Sequence, residues 1–136
     1  EGLFFPGFGP EDANPDIGDS AITETYGIGG FAMGSAPAVV RFVGADSVQA
    51  ALNYTRDMYS ITHSANTQLT MPNLDFQGTP MGIDICKVVE TGLTPVINTG
   101  MAHKEPGVGQ IGAGIVRAPM DCFTKALLAF AEQVGV

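Results

Sequence analysis

The chain has 136 residues, a net charge of −8 and only six lysines and arginines, which excludes a nucleic-acid-binding face because that needs clustered cations. Charged residues make up 15% and hydrophobic residues 45%, and no run of about 20 apolar residues occurs, so no membrane-spanning helix is expected. The length suits one domain with a modest core. So high an apolar share predicts a homo- or hetero-oligomer, or a further part of a longer protein, against which surface is buried. The missing initiator Met points to a domain cut from a longer chain, and no basic segment followed by an apolar one, as in a signal peptide, occurs in this sequence. Cys86 and Cys122 have no metal-ligand spacing and lie in apolar contexts, which predicts reduced core residues of a cytoplasmic protein.

Glu1–Pro15 mixes aromatics with Pro and Gly and shows no periodicity, so an extended or turn-rich arm packed through Leu3, Phe4, Phe5 and Phe8 is expected, with a turn over Glu11–Asp16. Asp16–Pro37 is more informative. Asp19, Ser20, Thr23, Glu24 and Thr25 precede Gly27, Gly29 and Gly30, and Phe31–Ala36 is apolar enough to start a buried helix that Pro37 keeps short. A helix starting at that turn aims free N–H groups at an anion, whereas the packing alternative uses the glycines to bring a helix close to a sheet. Both readings stand on the sequence.

Asp46–Thr62 reads as a helix, capped by Asp46 with Gln49 as its capping-box partner. Val48, Ala51, Leu52, Thr55, Met58, Tyr59 and Thr62 form its apolar stripe. His63 then sits where a cation favours a helix C-terminus. Leu69–Phe76 predicts a short edge strand that tolerates Pro72, and Gly82–Val89 is strand or short helix. Thr94–Ile97 reads as a β-branched strand, and Ile115–Arg117 resumes that character after Asn98–Gly114. That stretch holds His103, Lys104 and a high density of glycines. It predicts a loop in which backbone N–H groups, freed by Gly107, Gly109 and Gly112, and Lys104 hold an anion, lined by the polar side chains of Asn98, Thr99, His103, Lys104 and Gln110. Its bland alternative is a hairpin with turn glycines and solvent-facing His and Lys. Met120–Val134 reads as an amphipathic helix introduced by Pro119, with Met120, Phe123, Leu127, Leu128, Ala131 and Val134 as its buried stripe.

These elements predict an α+β domain: a small mixed sheet, about three helices and two Gly-rich polar loops as candidate sites. No G-x-S-x-G, H-E-x-x-H or C-x-x-C occurs. Asp16, Asp19 and Glu24 could hold Mg²⁺ with a substrate phosphate, but they lack the spacing of a metal loop, so no cofactor is expected.

Three blocks taken in order, Ala13–Pro37, Gly82–Lys104 and Gly109–Ala131, resemble the C-terminal part of a bacterial family of much longer proteins, the AllG/YahG-type subunits. The best understood of these belong to the FdrA-associated oxamate carbamoyltransferase. The resemblance covers nearly the whole chain. It implies a cytoplasmic subunit of a heteromeric transferase in allantoin degradation, with an FdrA-type partner, which exchanges a carbamoyl group between oxalurate and phosphate to give oxamate and carbamoyl phosphate. The resemblance carries no residue roles, and those are read from chemistry. Such substrates are small anions, and carbamoyl transfer needs donors on the phosphate and on the carbamoyl oxygen. Lys104, Arg117 and Arg41 are the candidate charges and His103 the candidate proton carrier. The polar loop of Asp19, Ser20, Glu24, Gly29 and Gly30 is the second candidate binding surface. A scaffold or partner-binding domain, with the chemistry elsewhere in the complex, is the competing expectation.

Overall fold

The structure is a computed structural model and describes residues 2–36, 38–39 and 47–135. Asp46 as a helix cap, Arg41 as a candidate charge and the stop at Pro37 lie outside the described residues. The α+β class holds, and the described strands fall into two antiparallel sheets rather than one mixed sheet. Strand β1 (Gly2–Phe4) pairs with β5 (Gln110–Arg117), which pairs on its other edge with β4 (Val96–Ala102). Strands β2 (Thr62–Met71) and β3 (Gln77–Ile83) make a separate hairpin. Helix α1 (Asp19–Glu24) leads to a 3₁₀ segment, Gly29–Ser35, that breaks at Ala32. Helices α2 (Val48–Ile61), α3 (Ile85–Thr91) and α4 (Met120–Val134) complete the described set.

The N-terminal arm is thus in part an edge strand, fixed where Gly2 faces Gly114 and the Phe5 N–H donates to the Ile111 carbonyl at 2.8 Å. Gly112 allows this closeness: a Cβ there would lie 2.5 Å from the Leu3 carbonyl oxygen. The Gly-dense stretch is mostly hairpin. Strand β4 runs on past Ile97 to Ala102, and Gly112 and Gly114 are buried within β5, so the connection shrinks to residues 103–109. Gly107 and Gly109 supply the positive φ values, +88° and +91°, that such a turn requires.

Helix α2 starts at Ser47, whose hydroxyl accepts from the Ala50 N–H at 3.1 Å. It ends at Ile61, so His63 is an exposed residue of β2 and not a helix cap. Within Gly82–Val89, Gly82 and Ile83 close β3, and Asp84 caps α3 by accepting from the Cys86 and Lys87 N–H groups. Leu69–Phe76 contributes the end of β2 and a 3₁₀ turn that Pro72 opens.

The core gathers Phe31, Met58, Ile61, Val88, Val96 and Ile97, which joins the 3₁₀ segment, α2, α3 and β4. Met120 and Phe123 pack on it from α4. The rest of the α4 stripe is less buried than its period predicts: Leu127 and Ala131 are half-buried, while Leu128 is 61% and Val134 54% exposed. Periodicity identifies the face of a helix but not how far a neighbour extends along it, and here α3 has only seven residues. Cys86 and Cys122 are both free and exposed, which corrects their placement in the core. Each lies in a helix whose other face supplies the packing residues Val88 and Phe123.

Candidate functional site

The polar candidates from Asp16–Pro37 and from β4 meet in one seam. Helix α1 lies against β4, and the Glu24 side chain reaches across, 6% exposed. One of its carboxylate oxygens, Oε2, accepts from the Gly30 N–H at 2.8 Å and the Asn98 N–H at 2.9 Å. Burial raises the Glu24 pKa above its ordinary value, and the two N–H groups, which favour the carboxylate, pull it back. A Cβ on Gly29 would overlap the Glu24 carboxyl group, and one on Gly30 the Val96 carbonyl. Gly30 permits close approach of the 3₁₀ segment to β4 and Gly29 makes room for the Glu24 carboxyl group, while the Gly30 amide is committed to the protein's own carboxylate.

Two cavities flank the seam. The first, about 570 Å³, is walled by Asp16, Asp19, Ser20, Thr99, Gly109 and Gln110 among others. Ser20 Oγ donates to Thr99 Oγ1 at 3.4 Å, and Thr99 Oγ1 donates to the Gly100 carbonyl at the same distance. Both contacts are long enough for a better acceptor to displace. Asp16 accepts from the Gly18 N–H at 3.1 Å. The second cavity, about 490 Å³, is walled by Gly27, Gly29, Gln68, Thr79 and Asn98 together with apolar side chains such as Met33. Strand β4 separates them, with Asn98 in the wall of one and Thr99 in the wall of the other.

His103, Lys104 and Arg117 lie outside both linings. Lys104 Nζ donates to the Glu11 carbonyl at 2.7 Å and stands 3.6 Å from Asp12 Oδ1, with 47% of its side chain exposed. His103 packs edge-on to Phe8, its Nδ1 accepts from the Glu105 N–H at 2.9 Å, and its Nε2 lies 4.0 Å from Asp12. Arg117, at the far end of β5, donates to the Thr94 carbonyl at 2.8 Å, pairs with Asp57 at 3.8 Å and stacks over Tyr54. Gly107 and Gly109 belong to the turn beside His103, and of the two only Gly109 lines a cavity. The structure therefore unites Asp19, Ser20, Thr99 and Gly109, places Glu24, Gly29, Gly30 and Asn98 behind them, and keeps His103, Lys104 and Arg117 apart. Among the described residues no three His, Cys, Asp or Glu side chains converge as a metal-ligand set.

Thr79 and Gln68 are cavity residues that the sequence reading did not select, whereas Gln110, expected among the polar residues of the Gly-dense stretch, does line a cavity. Thr79 and Gln68 belong to the β2–β3 hairpin, whose docking beside the Gly27–Gly30 turn leaves no trace in local sequence.

No family model matches the chain. It is 60% identical over 136 residues to the oxamate carbamoyltransferase subunit AllG of Escherichia coli K12, covering all of this chain and 32% of that protein. It is 55% identical over 135 residues to the uncharacterized protein YahG of the same organism, covering 99% of this chain and 28% of that one. A crystal structure of a conserved protein of unknown function from Enterococcus faecalis V583 superposes with a TM-score of 0.90 at 55% identity, over 97% of this chain and 31% of that chain. The chain spans about a third of the length of these relatives. Along its whole length, then, the chain is related to one stretch of the AllG- and YahG-type proteins, as its three sequence blocks indicated.

Proposed function

We propose that the chain is part of a subunit of a heteromeric carbamoyltransferase, exchanging a carbamoyl group between an oxalurate-like donor and phosphate in the cytoplasm. The supporting observation is the 60% identity with AllG along the whole chain. Within it, the cleft of Ser20 and Thr99 is the part assigned to the substrate. Their hydroxyls donate to a carbamoyl oxygen as negative charge develops on it, at the expense of two long contacts, Ser20 to Thr99 and Thr99 to the Gly100 carbonyl. Among the described residues the cleft wall carries Asp16 and Asp19 and no cation, so the charge that neutralises phosphate comes from Lys104 at the rim or from outside the described residues. The active site is therefore composite, completed by the rest of the longer protein or by an FdrA-type partner. Asp19 then orients the carbamoyl nitrogen, and Glu24 positions Asn98 and Thr99 from behind.

A scaffold role is the second reading, favoured by the exposed Leu128 and Phe130 of α4 and by Ile17 (87%) and Ile22 (78%) beside α1. One assay separates the two. Phosphate-dependent loss of oxalurate is followed in the full-length protein, with and without its FdrA-type partner, for wild type, Ser20→Ala and Thr99→Val. The transferase reading expects kcat/KM to fall at least about tenfold in each variant. Unchanged turnover in both variants leaves this chain as scaffold.

A further inference from the structure

The second cavity contains a buried polar atom that the fold leaves without a partner. Thr79 is 3% exposed and lies in the cavity wall, and its Oγ1 has no hydrogen-bond partner among the described residues. A desolvated, unpaired hydroxyl is unfavourable, and such groups are rare unless a ligand or water completes them. Its surroundings are assembled with care. Gly27, at φ +102°, is the glycine against which Thr79 Oγ1 lies, and a Cβ there would fill the hydroxyl's space. Buried Asn66 ties the adjoining pieces together: its Nδ2 donates to the Tyr26 carbonyl at 2.9 Å, and its Oδ1 accepts from the Gln68 and Leu69 N–H groups. That cap sits at the irregularity in the β2–β3 ladder and sets Gln68 and Leu69 against the Gly27 turn.

The lining chemistry narrows the occupant. Among the described residues, no side chain in the wall is ionisable. Gln68 and Asn98 present carboxamides that bond to no protein group among the described residues, and each can both donate and accept. Met33 and Leu69 supply an apolar side. The Glu24 carboxylate, just behind Gly29 and Asn98, makes the floor unfavourable for an anion.

We propose that this cavity is a binding site for an uncharged amide-type small molecule, held by Thr79 Oγ1 and the Gln68 and Asn98 carboxamides with its apolar part against Met33 and Leu69. The inference stands apart from the transferase reading, which places its chemistry on the other side of β4. The full-length protein is titrated with propionamide and, at matched ionic strength, with sodium propionate, and the thermal unfolding midpoint is followed. Propionamide raises the midpoint saturably and propionate does not. Thr79→Val weakens propionamide about five- to tenfold and leaves the midpoint of the unliganded protein unchanged or higher, because an unpaired hydroxyl is removed. Thr79→Ser, which keeps the hydroxyl, retains binding within about twofold. Absence of any propionamide response in wild type, equal responses to the amide and the carboxylate, or equal affinity in wild type and Thr79→Val overturns the proposal. So does a marked loss of unliganded stability in Thr79→Val with Thr79→Ser unaffected, because the hydroxyl would then already be bonded within the folded protein.

Discussion

Replacing Glu24 by Ala removes the single carboxylate oxygen that accepts from both the Gly30 and the Asn98 N–H groups. Each buried N–H left unpaired costs about 1–3 kcal/mol, so the loss from the pair is roughly 2–6 kcal/mol. Glu24→Gln behaves differently. One amide oxygen in the position of Oε2 accepts both bonds, and there is no charge to desolvate, so its stability at pH 7 stays within about 1 kcal/mol of wild type or exceeds it. The pH dependence separates them further. The folded-state pKa lies above the ordinary 4.5, so the folded protein keeps the Glu24 proton to higher pH than the unfolded chain does. The stability this group contributes is full below 4.5 and declines as pH rises from there through the raised folded pKa. Glu24→Gln lacks that decline. Urea unfolding followed by far-UV circular dichroism, repeated from pH 4 to pH 8, reads both effects. A Glu24→Ala variant within about 0.5 kcal/mol of wild type, or a wild type that gains stability relative to Glu24→Gln as pH rises, would refute the reasoning.

Lys104→Ala, which loses only an exposed ion pair and a carbonyl contact, costs at most about 1 kcal/mol in stability yet weakens phosphate in the assembled enzyme about tenfold, and equal phosphate affinities would remove it from the rim. Phe123→Ala destabilises by about 2–4 kcal/mol because Phe123 packs on the core, whereas Leu128→Ala on the same helix stays within about 0.5 kcal/mol; comparable denaturation midpoints would refute the partial burial of α4. Gly30→Ala, whose Cβ would overlap the Val96 carbonyl, prevents docking of the 3₁₀ segment and is expected to lower the unfolding midpoint far more than Gly107→Ala. The latter has open space for its Cβ and bears only the strain of positive φ, about 1 kcal/mol.

What local chemistry specifies was legible. Pro119 and Asp121 ahead of an apolar stripe mark α4 at the residues where it is found, and the stripe of Ala51, Thr55 and Met58 marks the buried face of α2. The candidate site was legible only as an inventory. The sequence shows Asp19, Ser20, Glu24, Thr99 and Gly109 as polar or glycine residues in irregular stretches, and it cannot show that they share a seam. Glycine density in 98–114 suggested a long loop because a glycine is a weak strand former on its own. Pairing with β1 on one side and β4 on the other makes β5 a central strand, where Gly112 is needed for close approach. Cys86 and Cys122 lie among apolar neighbours in sequence yet face outward, since helical rotation sets exposure residue by residue. Composition and periodicity, which depend on neighbours along the chain, determined the α+β class and the two long helices, while the resemblance to the AllG- and YahG-type proteins rested on three sequence blocks in order. Tertiary structure decided which groups are already partnered. The Gly30 and Asn98 amides hold Glu24, Lys104 and Arg117 hold backbone carbonyls, and the Thr79 hydroxyl has no partner among the described residues, because partners such as Asn98 for Glu24 and Glu11 for Lys104 come from segments far apart in the chain that only the folded backbone brings within hydrogen-bonding range.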